Sequence, residues 1–106
     1  MPIRVELRSE RGETIRDLDD PAGGTFDAAG DFDRLLEDVS GLLRYVDPYG
    51  DTVFNRIQMP DLLSELDELG SRDDVKPIEQ RGLARLRVMA ERCETTPHLY
   101  VWFVGD

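Results

Sequence analysis

Lysine is almost missing from this chain: twelve of its 13 basic residues are Arg, and Lys76 is the one exception. Cysteine, histidine and tryptophan occur once each, as Cys93, His98 and Trp102. A single thiol can neither close an internal disulfide nor build a cysteine-rich metal site, which matches a reducing compartment. Long apolar runs are also missing. The longest, Leu99 to Val104, falls far short of the roughly 20 residues that a membrane-spanning helix requires. Alternation begins at Ile3 and leaves no room for a basic region followed by an apolar one, so no secretory signal is expected and the cytoplasm is the expected location. There is no Walker loop, no GxGxxG after a strand, no HExxH, no GxSxG and no CxxC. No catalytic residue, cofactor or metal site is therefore expected.

What is present suits one globular domain over residues 1–106. Apolar residues make up 40% of the chain and charged residues 34%, enough for a packed core. The 23 acidic residues against 13 basic leave a net charge of −10, which repels phosphate backbones and anionic lipid. Nucleic acid and membranes are disfavoured partners, and a basic protein is the favoured one. Oligomeric state is not encoded in any pattern here.

The order of elements reads as α+β. Ile3, Val5 and Leu7 alternate with charged residues as a strand with one wet face. A gap containing Gly12 should return the chain antiparallel through Thr14-Ile15-Arg16. Residues 17 to 30 read as an acidic surface loop. Asp31 then caps a short helix marked by Phe32, Leu35, Leu36 and Val39. Leu42 to Val46 is a strand candidate leading into Asp47-Pro48-Tyr49-Gly50, a type I turn signal, and Thr52-Val53-Phe54 completes a hairpin. Pro60 opens a helix with Leu62, Leu63, Leu66 and Leu69 on one face, ended by Gly70. Pro77 opens a second, longer one through Ile78, Gly82, Leu83, Leu86, Met89, Ala90 and Cys93, stopped at Thr95-Thr96-Pro97. Leu99 to Val104, apolar at every position, should be a central strand covered on both faces. The expectation is a mixed, mainly antiparallel sheet of about five strands, with two main helices packed on it and one short helix.

Charge is placed unevenly. Residues 17 to 38 carry eight acidic groups and one basic, and residues 61 to 74 carry six against one. Residues 76 to 92 reverse the sign, with Arg81, Arg85 and Arg92 on one helical side. Most such faces are simply solvated or paired with each other. A dense acidic surface can also steer a basic partner, and Asp19, Asp20, Asp27, Asp61, Glu65 and Glu68 are the candidates for that role.

A second candidate region is polar. Asp47, Tyr49, Asp51, Asn55, Arg56 and Gln58 crowd the turn and the junction after it. Asp in turns is usually structural, and Asn55 with Gln58 has the spacing of a reciprocal helix cap. Cys93 lies five residues before His98, but it falls on an apolar stripe where thiols are inert. Tyr100 and Trp102 share one face of the last strand.

The run Leu43 to Gln58, which includes Asp47-Pro48-Tyr49-Gly50-Asp51-Thr52-Val53-Phe54-Asn55, together with the ending His98 to Phe103, resembles a group of small bacterial proteins with no established activity. The likeness spans about half the chain and implies no cofactor or site residue. In size and acidity the chain is also similar to bacterial immunity proteins. The leading expectation is a non-catalytic protein-binding module, such as an inhibitor or immunity-type protein for a basic partner. A small hydrolase or transferase working at residues 47–58 is one alternative, and a homodimeric accessory subunit is another.

Overall fold

Residues 3–16, 18 and 33–105 are described in the structure, a computed structural model. The alternation at the start of the chain becomes β1 (Arg4–Ser9), with Val5 and Leu7 buried and Arg4 exposed. Gly12, at φ +83°, closes the turn after it by donating its N–H to the Ser9 carbonyl at 2.9 Å. A Cβ-bearing residue would be strained in that left-handed backbone.

The apolar run near the C-terminus becomes β3 (Leu99–Val104), and the segment after the Asp47–Gly50 turn becomes β2 (Asp51–Phe54). The sheet order is β1-β3-β2, and both pairings are antiparallel. β3 is central, as its apolar character predicts.

Three strands, not about five, form the sheet among the described residues, and none is parallel. Two expected strands are replaced for different reasons. Residues 14–16 contribute only a bridge between Arg8 and Thr14 and an Ile15 N–H bond to the Leu7 carbonyl, because the β-forming stretch is too short for a ladder. Leu42–Tyr45 curls into a 3-10 turn instead of pairing with β2. Only Leu43 in it is fully buried, and its amide is drawn to a side chain of the next helix, which removes it from any ladder. The short helix expected from Asp31 is a 3-10 turn over Asp33–Asp38 with Leu35 buried; Asp31 and Phe32 lie outside the described residues.

The helices follow the sequence closely. α1 (Met59–Gly70) has Pro60 in its first turn and buries Met59, Leu62, Leu66 and Leu69. α2 (Pro77–Thr95) buries Leu83, Leu86, Met89, Ala90 and Cys93. α2 packs on β1 and β3, α1 packs on α2 and on the segments Leu42–Tyr45 and Arg56–Gln58, and both helices share one core with Val5, Leu7, Phe54, Val101 and Phe103. Phe54 and Phe103 meet edge to face with centroids 5.6 Å apart, a geometry favoured by the ring quadrupoles.

Among the described residues β3 is fully buried on one face and not on the other. Leu99, Val101 and Phe103 are buried, whereas Tyr100, Trp102 and Val104 are half-buried on the other side. There the Arg8 guanidinium lies 4.4 Å over the Trp102 ring, and Arg8 also bonds Glu6 at 3.1 Å. The aromatics that made β3 look doubly buried instead form a surface with charged residues of β1.

Ion pairs join the elements. Arg34, on the first 3-10 turn, grips Glu79 with two bonds of 2.8 and 2.6 Å and reaches the Asp74 carbonyl at 2.9 Å. Arg87 on α2 pairs with Asp67 on α1. The expected basic stripe on α2 is therefore not a free surface: Arg85 is buried, and Arg81, Arg85 and Arg92 are all engaged in contacts.

Candidate acidic cleft and polar turn

The polar turn is built from bonds between its own side chains and backbone. Asp47 Oδ1 accepts from the Tyr49 N–H at 2.8 Å, and the Asp47 N–H donates to Thr52 Oγ1 at 2.9 Å. From the end of β3 the Gly105 N–H donates to the Gly50 carbonyl at 2.7 Å. A Cβ at position 105 would come within 2.5 Å of the Asp47 and Gly50 carbonyl oxygens, so glycine is required for this approach. Asn55 and Gln58 form the reciprocal cap, with the Gln58 N–H on Asn55 Oδ1 at 3.2 Å and the Asn55 N–H on Gln58 Oε1 at 2.8 Å. Arg56 Nε donates to the Glu94 carbonyl at the end of α2, 3.1 Å away. Asp51 and Tyr49 project into solvent from this frame. The sequence spacing had brought six polar residues together, and four of them complete a turn, a cap and a helix end.

The acidic candidates on α1 come together in one place. Asp61, Glu65 and Glu68 stand at i, i+4 and i+7, so they share one helical side. They line a cleft of about 440 Å³ whose opposite wall is Val39 to Leu42 with Arg44 and Tyr45. Asp19, Asp20 and Asp27 lie outside the described residues. Asp61 and Glu68 are exposed, and neither makes an ion pair among the described residues. Asp67 and Asp74 differ from them, being tied to Arg87 and Arg34.

Glu65 differs again. It is only 9% exposed, and both carboxylate oxygens lie 3.3 Å from the Leu43 N–H, with the Gly41 and Leu42 amides also turned to it. Burial pushes its carboxyl above the ordinary value, the amides oppose that rise, and the charge of Glu68 adds to it. Glu65 thus faces inward and ties the 41–45 segment to α1. The sequence marked its charge, but not its direction.

Arg44 donates to the Ser40 carbonyl at 3.0 Å and to the Tyr45 hydroxyl at 2.6 Å, and its guanidinium lies 4.7 Å from that ring's centroid. Gly41, Arg44, Tyr45 and Arg72 belong to the cleft without having been singled out from the sequence. The signal that could have marked them, a glycine directly before Leu-Leu-Arg-Tyr, is indistinguishable from an ordinary helix end until the fold brings α1 alongside.

Cys93 and His98 do not meet. The thiol is buried, its Sγ bonds the Leu99 carbonyl at 3.3 Å, and burial raises its pKa to about 11. His98, at φ +65° in the α2–β3 junction, is exposed and its Nδ1 lies 3.2 Å from Glu10. Among the described residues no three His, Cys, Asp or Glu side chains converge as a metal site, and no helix is long and apolar enough to cross a membrane.

Comparison of the chain with protein-family models, with curated sequences and with solved structures returned no match.

Proposed function

We propose that this chain is a non-catalytic protein-binding module, of the inhibitor or immunity type, that receives a basic segment of its partner along the α1 cleft. The observation supporting this reading is the contrast on α1 between Asp67, which is paired, and Asp61 and Glu68, which make no ion pair among the described residues. Those two carboxylates are exposed on one cleft wall, about 10 Å apart along the helix at its normal rise. That span suits two basic side chains of an extended or helical segment. The net charge of −10 would speed the approach of such a partner and disfavour nucleic acid. A reducing cytoplasm suits a chain whose one thiol is buried.

The alternative of a hydrolase or transferase at residues 47–58 draws less support, because Asp47, Asn55, Arg56 and Gln58 are held in backbone bonds.

The test is capture from the native cell on immobilised protein at low salt, run beside the Asp61→Asn/Glu68→Gln variant. The expected result is one basic protein retained by the parent chain, released by salt of about 0.3 M, and retained at least tenfold less by the variant. Equal retention by the variant would remove the cleft from the reading, and a salt-insensitive complex would remove its electrostatic basis.

A further inference from the structure

The two edges of the sheet differ. Along β1 the Leu7 carbonyl accepts from the Ile15 N–H at 2.8 Å and Arg8 bridges to Thr14, so the chain itself covers part of that edge. Along β2 the Gly105 N–H bond to the Gly50 carbonyl sets the phase of the ladder. Bonded and non-bonded pairs alternate between antiparallel strands, so Thr52 and Phe54 turn their N–H and C=O to β3, and those of Asp51 and Val53 turn away from it. Among the described residues no hydrogen bond uses these outward groups. The side chains of Asp51 and Val53 lie on the sheet face that carries their partners Val104 and Trp102. Val53 is 42% exposed there, an apolar step beside the Trp102 position. Asp51 is exposed and makes no ion pair among the described residues. Across its row come Val104 and then Arg4, two strand spacings or roughly 10 Å away, and Arg4 Nε is on Glu6 at 2.8 Å.

We infer that the β2 edge takes an extended basic segment of another protein as a fourth, antiparallel strand, with the residue order apolar, any, then Lys or Arg. The outward N–H and C=O of Asp51 and Val53 bond two alternate residues of that strand, which fixes an extended occupant. Antiparallel direction sets the earlier of the two opposite Val53 and the later opposite Asp51. An apolar side chain at the first lengthens the row through Val53 and Trp102, and a basic one at the second gives Asp51 its counter-charge. A second copy of this chain fits less well. Two-fold pairing at Thr52 would set each Asp51 opposite a valine, leave both carboxylates without a cation and join two chains of net charge −10. The β2 edge is not part of the α1 cleft lining.

The probe is an end-capped peptide, Thr-Val-Thr-Lys-Thr-Lys, titrated into the isotope-labelled full chain and followed by amide shifts. Saturable shifts centred on Asp51 and Val53 are expected, with exchange of both amides slowed at saturation. N-methylation of the Val and of the first Lys removes the N–H groups that face β2 and should weaken binding at least about tenfold, whereas N-methylation of the Thr between them should not. The same peptide with Glu in place of Lys should not bind. Val53→Pro removes an outward N–H and spares the β3 ladder, so it should weaken binding as methylation does; Asp61→Asn/Glu68→Gln should bind like the parent. Equal weakening from methylation at all three positions, or full binding by folded Val53→Pro, overturns the strand. Should Val53→Pro fail to fold, the methylated peptides decide. Binding lost in Asp61→Asn/Glu68→Gln and kept in Val53→Pro puts the peptide in the cleft and overturns the edge site alone. Protection of Asp51 and Val53 that rises with protein concentration, without peptide, assigns the edge to a second copy and also overturns it.

Discussion

A Cβ on Gly41 would stand 2.1 Å from Oε2 of Glu65, so the carboxylate occupies the space where a side chain at position 41 would begin. The two positions are 24 residues apart and are compatible only because the first has no side chain.

Gly41→Ala should therefore eject Glu65 from its cradle and leave the Leu43 amide without its acceptor. The expected cost is about 1–3 kcal/mol in urea unfolding. In a double-mutant cycle with Glu65→Ala the losses should be strongly non-additive, since both substitutions break the same contact. Additive losses would mean that Gly41 matters for another reason.

Glu6 sets the acid limit of the sheet. Partial burial raises its pKa, but bonds from Arg4 at 2.8 Å, Arg8 at 3.1 Å and Thr14 at 2.9 Å outweigh burial and hold it at about 2. A depressed carboxylate contributes stability that is present above its unfolded value of about 4.5 and lost as pH falls toward about 2. Glu6→Gln should lower stability at neutral pH by about 1–2 kcal/mol and flatten the acid limb of a stability–pH curve in that window. An acid limb of unchanged slope would count against the network.

Asn55→Ala and Gln58→Ala each remove half of a reciprocal cap at the entry to α1. Each should cost about 0.5–2 kcal/mol by thermal unfolding and leave partner capture unchanged. Loss of capture with intact stability would return the region to consideration as a site.

Cys93 should resist alkylation. With its pKa raised to about 11 and its Sγ on the Leu99 carbonyl, iodoacetamide at neutral pH should label it only as fast as the native state opens, and rapidly in denaturant. Fast labelling of the folded protein at or below neutral pH would contradict its burial.

Much of this was readable in one dimension, because local chemistry decided it. Pro60 and Pro77 fix helix starts, the 3.6-residue spacing of Leu62, Leu66 and Leu69 fixes a buried face, and Asp47 to Gly50 closes its turn with the Asp47 side chain. The Asn55–Gln58 cap spans three residues and was visible for the same reason. Leu42 to Tyr45 was not, since a short apolar run is equally a strand or a turn until a partner arrives. Here the partner is Glu65, brought by α1 from more than twenty residues away. The face of β3 was similarly undetermined: Tyr100 and Trp102 look like core in isolation, and only the registration of Arg8 opposite Tyr100 makes them a cation-bearing surface.

The sequence by itself determined the acidity, the two helices, the central strand and the side of α1 that carries Asp61, Glu65 and Glu68. These follow from spacing and composition, which act over a few residues. The tertiary structure alone decided that two of those carboxylates face solvent, without an ion pair among the described residues, while Glu65 is drawn inward. That choice depends on an uncommitted set of amides and a missing side chain at Gly41, which the chain supplies only once α1 has packed beside it.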